Sequence, residues 1–302
     1  MERESRKFHG VISPVVTLFN EDGDFNWEAN KQLTDFLINK GVHGILYMGS
    51  TGEFSSLSIE MRKQFIAEMI PYVNNRVPVL IGTGTSSLAD TIELSLHAQE
   101  CGADGVLVVS PYYWKFTEDQ LYDYFTSVSK SLNISVLIYN IPMLTGQSLS
   151  PQLIARLAEN RENIVGIKDT IDSLGHIRKL ILETKKKRED FAVFAAFDDL
   201  VLPALQIGAA GSINGTSVFA PEQSVNLYNC FKSGKLQEAL TYHQKINSFM
   251  SIYELSDPLF IAIKETVNQT ILGYKTANLP PALAEETTLN QKVETFINTH
   301  LN

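Results

Sequence analysis

Long apolar runs are missing from this 302-residue sequence, and none approaches the roughly 20 residues that a membrane helix needs. The N-terminal "MERESRKFHG" is charged and lacks the apolar segment of a signal peptide, so the expected location is the cytoplasm. Cysteine is nearly absent. The two present, Cys101 and Cys230, cannot build a disulfide framework, and Cys101, before Gly102 at an expected helix end, reads as a small packed hydrophobe. Positive charge is in deficit: 25 Lys and Arg against 34 Asp and Glu leave a net charge of -9. That balance excludes a phosphate-backbone binder, so neither nucleic acid nor membrane is an expected partner. The one basic run, Lys185 to Arg188, is followed by Glu189 and Asp190 and reads as a solvated helix end. The six histidines (His9, His43, His97, His176, His243 and His300) show no HxxxH or HxH spacing, so no metal site is expected. "GTGTSS" lacks the third spaced glycine of a dinucleotide fingerprint and the Gly-Lys-Ser/Thr of a P-loop. It reads as a turn, with Ser86 or Ser87 capping the next helix.

What is present is a repeated local pattern. "KGVHGILYMGS", "CGADGVLVVSP" and "IGAAGSINGTS" each run from a helix end through Gly, two residues and Gly into a short strand. The first glycine suits a left-handed position after the helix, and the second is read as permitting a tight turn into the strand. Five more apolar runs, "GVISPVVTLF", "VPVLIGTG", "NISVLIYN", "NIVGIKD" and "FAVFAAF", bring the strands to eight. Their near-continuous apolar character indicates a parallel sheet covered on both faces. Between them, "MRKQFIAEMIPYV" and "ADTIELSLHAQE" carry helical periodicity. Thr117 with Gln120 has capping-box form, and Ser150-Pro151 is an N-cap followed by proline at N1.

Eight such units predict an α/β fold, a closed (β/α)8 TIM barrel, ahead of an open doubly wound sheet. After about residue 231 the strand signal stops and three further helices are expected. The division is a barrel over 1–230 and a helical extension packed on it over 231–302, with no low-complexity linker between them.

In such a barrel, function sits where the strands end. The segment "ENIVGIKDTIDS" runs an apolar strand into Lys168. A strand-end lysine is commonly a plain surface cation. Burial, however, favours the neutral amine of a lysine, which attacks carbonyls and forms an iminium able to stabilise an adjacent carbanion. Tyr139 ends the neighbouring strand, where a phenol can shuttle protons to and from a carbinolamine. "GSTG" (Gly49, Ser50, Thr51, Gly52) places small polar residues and backbone N–H groups where they can cradle a carboxylate.

Taken together and in order along the chain, "GSTGE", "PYYW", "YNIP" and "GIKDT" resemble the N-acetylneuraminate lyase and dihydrodipicolinate synthase superfamily of class I aldolases. Within it, "PYYWK", "YNIPMLTGQ", "GIKDTIDS" and "DPLFIAIKE" are most similar to bacterial 2-keto-3-deoxygluconate aldolases. The resemblance implies that Lys168 forms the Schiff base with pyruvate or a 2-keto acid and that Tyr139 is the catalytic tyrosine. It implies that Ser50 and Thr51 bind the carboxylate and relay protons. It makes Tyr113 a residue lent to a neighbouring subunit's site, and Thr170 a substrate contact. Leu144 stands where the synthases carry a carboxylate-binding arginine, which argues against synthase activity. Ala196, Phe197, Asp198 and Asp199 stand where sialic acid lyases have Gly-Tyr-Asp-Glu. Gly215 replaces their sugar-binding serine, leaving Asp198, Asn214 and Thr216 as expected contacts for a shorter polyol.

The expected activity is reversible cleavage of a 2-keto-3-deoxy sugar acid to pyruvate and an aldehyde, with no cofactor beyond the covalent bond to Lys168. Dihydrodipicolinate synthesis and N-acetylneuraminate cleavage are the enzymatic alternatives, and a non-catalytic keto-acid sensor the other. A homotetramer built from two tight dimers is implied by the resemblance alone.

Overall fold

The computed structural model describes residues 8–283 and 286–301. Eight strands close in chain order into one parallel barrel. They are β1 (Gly10–Pro14), β2 (Gly44–Tyr47), β3 (Val79–Gly82), β4 (Gly105–Val109), β5 (Ser135–Asn140), β6 (Ile164–Asp169), β7 (Ala192–Ala195) and β8 (Gly211–Ser212). Each lies within one of the apolar runs that mark strands in the sequence. The crossovers carry α1 (Trp27–Asn39), α2 (Ile59–Val73), α3 (Leu88–Glu100), α4 (Glu118–Lys130), α5 (Pro142–Thr145), α6 (Pro151–Asn160), α7 (Leu174–Lys187), α8 (Val201–Gln206) and α9 (Pro221–Lys232).

Helix starts follow local chemistry. Both halves of the Thr117–Gln120 capping box form at α4. Ser150 caps α6 ahead of Pro151, and Ser87, not Ser86, caps α3. Each such cap satisfies backbone donors that helix geometry leaves unpaired, worth about 1 kcal/mol. The basic run ends α7 in solvent, with Lys186 paired to Glu183 and Lys187 to Glu159.

The repeated Gly-x-x-Gly pattern divides its work differently from the sequence expectation. The first glycines, Gly41, Gly102 and Gly208, are left-handed, at φ +84°, +92° and +102°. The second ones are not turn residues. A Cβ on Gly211 would fall 1.9 Å from the Gly10 carbonyl oxygen, so β8 needs glycine to pack beside β1. Close approach between strands, not chain reversal, selects glycine there.

Alternation along the strands separates two cores. Ile12, Leu46, Leu80, Leu107, Leu137 and Phe194 fill the barrel lumen. Val11, Ile45, Ile81, Val106, Ile138, Ile167 and Val193 face the helical layer. A period of two therefore decides which residues reach the lumen. Lys168 follows Ile167 and pairs with the lumen-facing Tyr139, so its side chain enters the barrel.

Helix α9 closes the eighth unit and ends at Lys232, just past the expected division at residue 230. Beyond it come α10 (Leu236–Ser248), α11 (Phe260–Val267), which continues into a π turn through Leu272, and α12 (Glu286–His300). α10 packs on α9, and α12 packs on α11. Among the described residues, no helix is long and apolar enough to cross a membrane, and no cluster of His, Cys, Asp or Glu has metal-site geometry.

Candidate active site

Three strand ends converge. β6 delivers Lys168, only 4% exposed, with Nζ 4.4 Å from the centroid of the Tyr139 ring. β5 delivers Tyr139, 3% exposed, whose Oη lies 3.3 Å from Ser50 Oγ. The loop after β2 supplies Ser50 and the buried Thr51. Met48, Gly49, Phe54, Gly82, Leu107 and Tyr139 line a small cleft at this mouth. Amine, phenol and hydroxyl thus meet in one enclosed place, although 118 residues separate Ser50 from Lys168 in the chain.

The β2 loop is held in an unusual shape. Met48 and Glu53 flank the Gly49–Gly52 segment, and both are left-handed, at φ +56° and +59°. Such a conformation costs a residue other than glycine about 1–3 kcal/mol and persists only where the surroundings over-determine it. Gly82 is part of that surrounding, since a Cβ there would lie 2.0 Å from the Met48 carbonyl oxygen. The Gly52 N–H donates to the Gly49 carbonyl at 3.0 Å, so it is engaged within the loop itself. Any carboxylate cradle therefore rests on Ser50 and Thr51, which narrows the sequence expectation for Gly52.

Thr170 follows β6. Its N–H donates to the Asn140 carbonyl, and its buried hydroxyl has no hydrogen-bond partner among the described residues. Tyr113 is placed elsewhere. It is 87% exposed, left-handed at φ +86°, and edge-on to the exposed Trp114.

Asp198, Asn214 and Thr216, the expected polyol contacts, are brought together at the ends of β7 and β8. All three are buried, and they bind one another. One Asp198 oxygen accepts from Asn214 Nδ2 at 2.7 Å and from the Thr216 hydroxyl; the other accepts from the Tyr253 hydroxyl. Burial pushes the Asp198 carboxyl above the usual carboxylate range, against these hydrogen bonds, which pull it down. Asp198, with both carboxylate oxygens engaged, ties the ends of β7 and β8 together, while Asn214 Oδ1 is buried with no hydrogen-bond partner among the described residues. Asp198→Ala takes one acceptor from the Asn214 amide, which keeps Ser224 Oγ at 3.1 Å, and removes the acceptor of the buried Thr216 and Tyr253 hydroxyls, a loss of about 3 kcal/mol. The expected result is a lower thermal transition with KM of the folded enzyme within twofold of wild type. A large rise in KM at unchanged stability would point to the sugar-contact role.

Asp169 acquires a place. The alternation that turns Lys168 inward turns Asp169 outward, where it is fully buried. Its carboxylate accepts from Asn140 Nδ2 at 2.7 Å, and its other oxygen lies 3.0 Å from His176 Nδ1. Asn140 Oδ1 in turn accepts from the Leu149 N–H. This network locks β5 to β6 one residue beyond Tyr139 and Lys168. Sequence reasoning missed Asn140 and His176 because neither carries a local signal of its partner.

Two further buried cations also escaped it. Arg62 of α2, 2% exposed, donates to the Gly82 and Gly84 carbonyls, and its guanidinium stacks 5.1 Å from the Phe54 ring. Burial lowers its pKa to about 10. Lys264 of α11 pairs with Glu53, both side chains at 0–1% exposure.

A closed barrel with an enclosed amine and phenol at its C-terminal mouth is the arrangement of a carbonyl-processing lyase. Residues 7–300 match the Dihydrodipicolinate synthetase family, and the chain belongs to it. YjhH of Escherichia coli K12, provisionally named a 2-dehydro-3-deoxy-D-pentonate aldolase, is 41% identical over 292 residues, covering 97% of each chain. YagE of the same organism, provisionally named a 2-dehydro-3-deoxy-D-gluconate aldolase, is 43% identical over 279 residues, 92% of each chain. The crystal structure of YagE in complex with pyruvate superposes with a TM-score of 0.94 at 41% identity, covering 97% of this chain and 99% of that one. The protein is a carbon–carbon lyase of the aldolase type.

Proposed function

We propose that the protein is a class I aldolase that reversibly cleaves a 2-keto-3-deoxy sugar acid to pyruvate and an aldehyde. The observation that carries this is Lys168 enclosed in the lumen against Tyr139, with Ser50 in reach of the phenol. The names of YjhH and YagE, and the pyruvate bound to YagE, support the substrate class.

In the proposed reaction, the Ser50–Thr51 loop holds the substrate carboxylate and so presents the C2 carbonyl to Lys168. The Lys168 nitrogen adds to C2. Tyr139 donates its proton to the carbinolamine hydroxyl, which leaves as water, giving an iminium and a phenolate. The phenolate takes the proton from the C4 hydroxyl. The C3–C4 bond then breaks, the aldehyde departs, and the bonding electrons are held as the enamine on Lys168. Tyr139 returns the proton to C3, water hydrolyses the resulting iminium to pyruvate and free amine, and the proton released in that hydrolysis re-forms the Tyr139 phenol. Every proton is returned within the cycle, and the iminium is the only electron sink required, so no resident cofactor enters the proposal.

The enzyme is further proposed to work as a tetramer of paired dimers. Support comes from exposed apolar side chains on the loop after β4 and on α5: Tyr113, Trp114, Met143 and Leu144 are all 63% exposed or more. Tyr113 holds a left-handed backbone, and its ring meets the exposed Trp114 edge-on. A neighbouring copy would cover these side chains.

The test is a panel of five- and six-carbon 2-keto-3-deoxy acids assayed for pyruvate release, with aspartate semialdehyde condensation as a separate arm. Release from at least one sugar acid, without condensation, is expected, since the apolar Leu144 offers nothing to a second carboxylate. No release from any of them would overturn the proposal.

A further inference from the structure

The loop that carries Ser50 and Thr51 is joined to the C-terminal extension by a buried charge pair. Glu53 closes the loop in a left-handed conformation, φ +59° and ψ 27°. Its Oε1 accepts from Lys264 Nζ, and Lys264 sits on α11, 211 residues further along. The ammonium also reaches the Ala277 carbonyl at 3.4 Å and lies 4.9 Å from the Phe19 ring centroid. Phe19 itself is paired with Ala277, its carbonyl accepting the Ala277 N–H at 2.9 Å. The loop after β1, the loop after β2 and the extension thus meet at one point.

That point is a poor place for charge. Desolvation pulls Glu53 up and Lys264 down, toward their neutral forms, and each partner opposes the drift in the other. Glu53 Oε2 has no hydrogen-bond partner among the described residues. A buried ion pair of this kind is weak evidence for stability, because apolar side chains of similar volume commonly serve as well or better. What it supplies is a fixed direction. The carboxylate must point at one atom of α11, and the backbone of Glu53 must take the left-handed turn that lets it.

The rest of the loop is held from other sides. Thr17 Oγ1 donates to the Gly52 carbonyl at 2.7 Å in a buried bond. On the far side of Glu53, Phe54 stacks on the Arg62 guanidinium. The Glu53 N–H closes a turn on the Ser50 carbonyl at 3.1 Å, so the side-chain anchor and the candidate carboxylate-binding residue share one hydrogen-bonded turn.

We propose that Glu53 is a positioning residue, and Lys264 its anchor: the pair sets the turn that aims Ser50 and Thr51 at the substrate carboxylate. The helical extension is thereby part of the active site's construction without touching substrate. This deepens the aldolase proposal and rests on its assignment of Ser50 and Thr51.

The test uses full-length Glu53→Gln, Lys264→Met and the double variant Glu53→Gln/Lys264→Met. Glu53→Gln keeps the volume and removes the charge that fixes the direction. KM for the 2-keto acid should rise about 10- to 100-fold, the scale expected of a misplacement near 1 Å. Borohydride trapping at saturating pyruvate should still reach the wild-type extent, because Lys168 is untouched. The double variant should show the KM rise of Glu53→Gln alone, not the product of the two single effects, since both break one contact. KM within twofold of wild type in folded Glu53→Gln overturns the proposal. If that variant does not fold, the double variant, which carries no buried charge at this point, takes its place. Failure of both to fold overturns positioning in favour of a structural role. The aldolase reading fails separately: wild-type enzyme that borohydride and pyruvate do not label removes it whatever the variants do.

Discussion

Lys168→Met is expected to fold as wild type does and to lose turnover by roughly 10⁴- to 10⁶-fold, the scale on which removal of a covalent nucleophile acts. Methionine approximates the lysine stem, so the lumen beside Tyr139 and Phe194 remains filled. An amine leaves an enclosed site, which carries no stability penalty of its own. The loss is chemical. Without a primary amine there is no iminium, and without the iminium the electrons of the C3–C4 bond have nowhere to go. Borohydride with pyruvate should add a stable adduct to one wild-type peptide, the one containing Lys168, and nothing to the variant. Labelling that persists in Lys168→Met, or that maps to Lys264, would assign the chemistry to another residue. Lys264 is the informative control because it too is a buried lysine, yet its ammonium is committed to Glu53.

Tyr139→Phe is expected to cost about 10² to 10⁴-fold in kcat, the usual range for a general acid–base group. The ring stays against Lys168 and only the hydroxyl is lost, so the thermal transition should move little. The two variants should part in their trapping behaviour. Tyr139→Phe retains the amine, and its adduct with pyruvate should form slowly but reach completion. If turnover stays within a few-fold of wild type, the proton relay runs through another group, with Ser50 and Thr51 the first to examine. If the adduct never forms, the phenol is needed to expel water from the carbinolamine as well as to deprotonate the C4 hydroxyl.

Asp198, Asn214 and Thr216 lie at strand ends, where a barrel keeps its chemistry, and polar residues there invite assignment to substrate. The structure adds what the sequence did not show: their mutual hydrogen bonds and the Tyr253 hydroxyl on Asp198. Tyr253 belongs to the extension, so the partner that occupies the carboxylate comes from beyond the barrel. Glu53 presents the same situation, with Lys264 arriving from α11. In both places the C-terminal helices complete the mouth from outside.

Strand identity and strand order were legible in the sequence, because each rests on local rules. Apolar runs bounded by glycine mark parallel strands, and an alternation of two sends Lys168 inward and Asp169 outward once Ile167 is known to face the helices. Composition alone also marks Lys264, a lysine set in the apolar "FIAIKETV" much as Lys168 is set in "NIVGIKD". Only the tertiary structure separated the two. One amine is left facing a phenol in a closed lumen, and the other is bound to a carboxylate 211 residues away. Burial of a charged group can be anticipated from its neighbours in the chain. Its partner cannot, because a contact between distant segments is set by how the barrel closes and by which helices pack over its mouth.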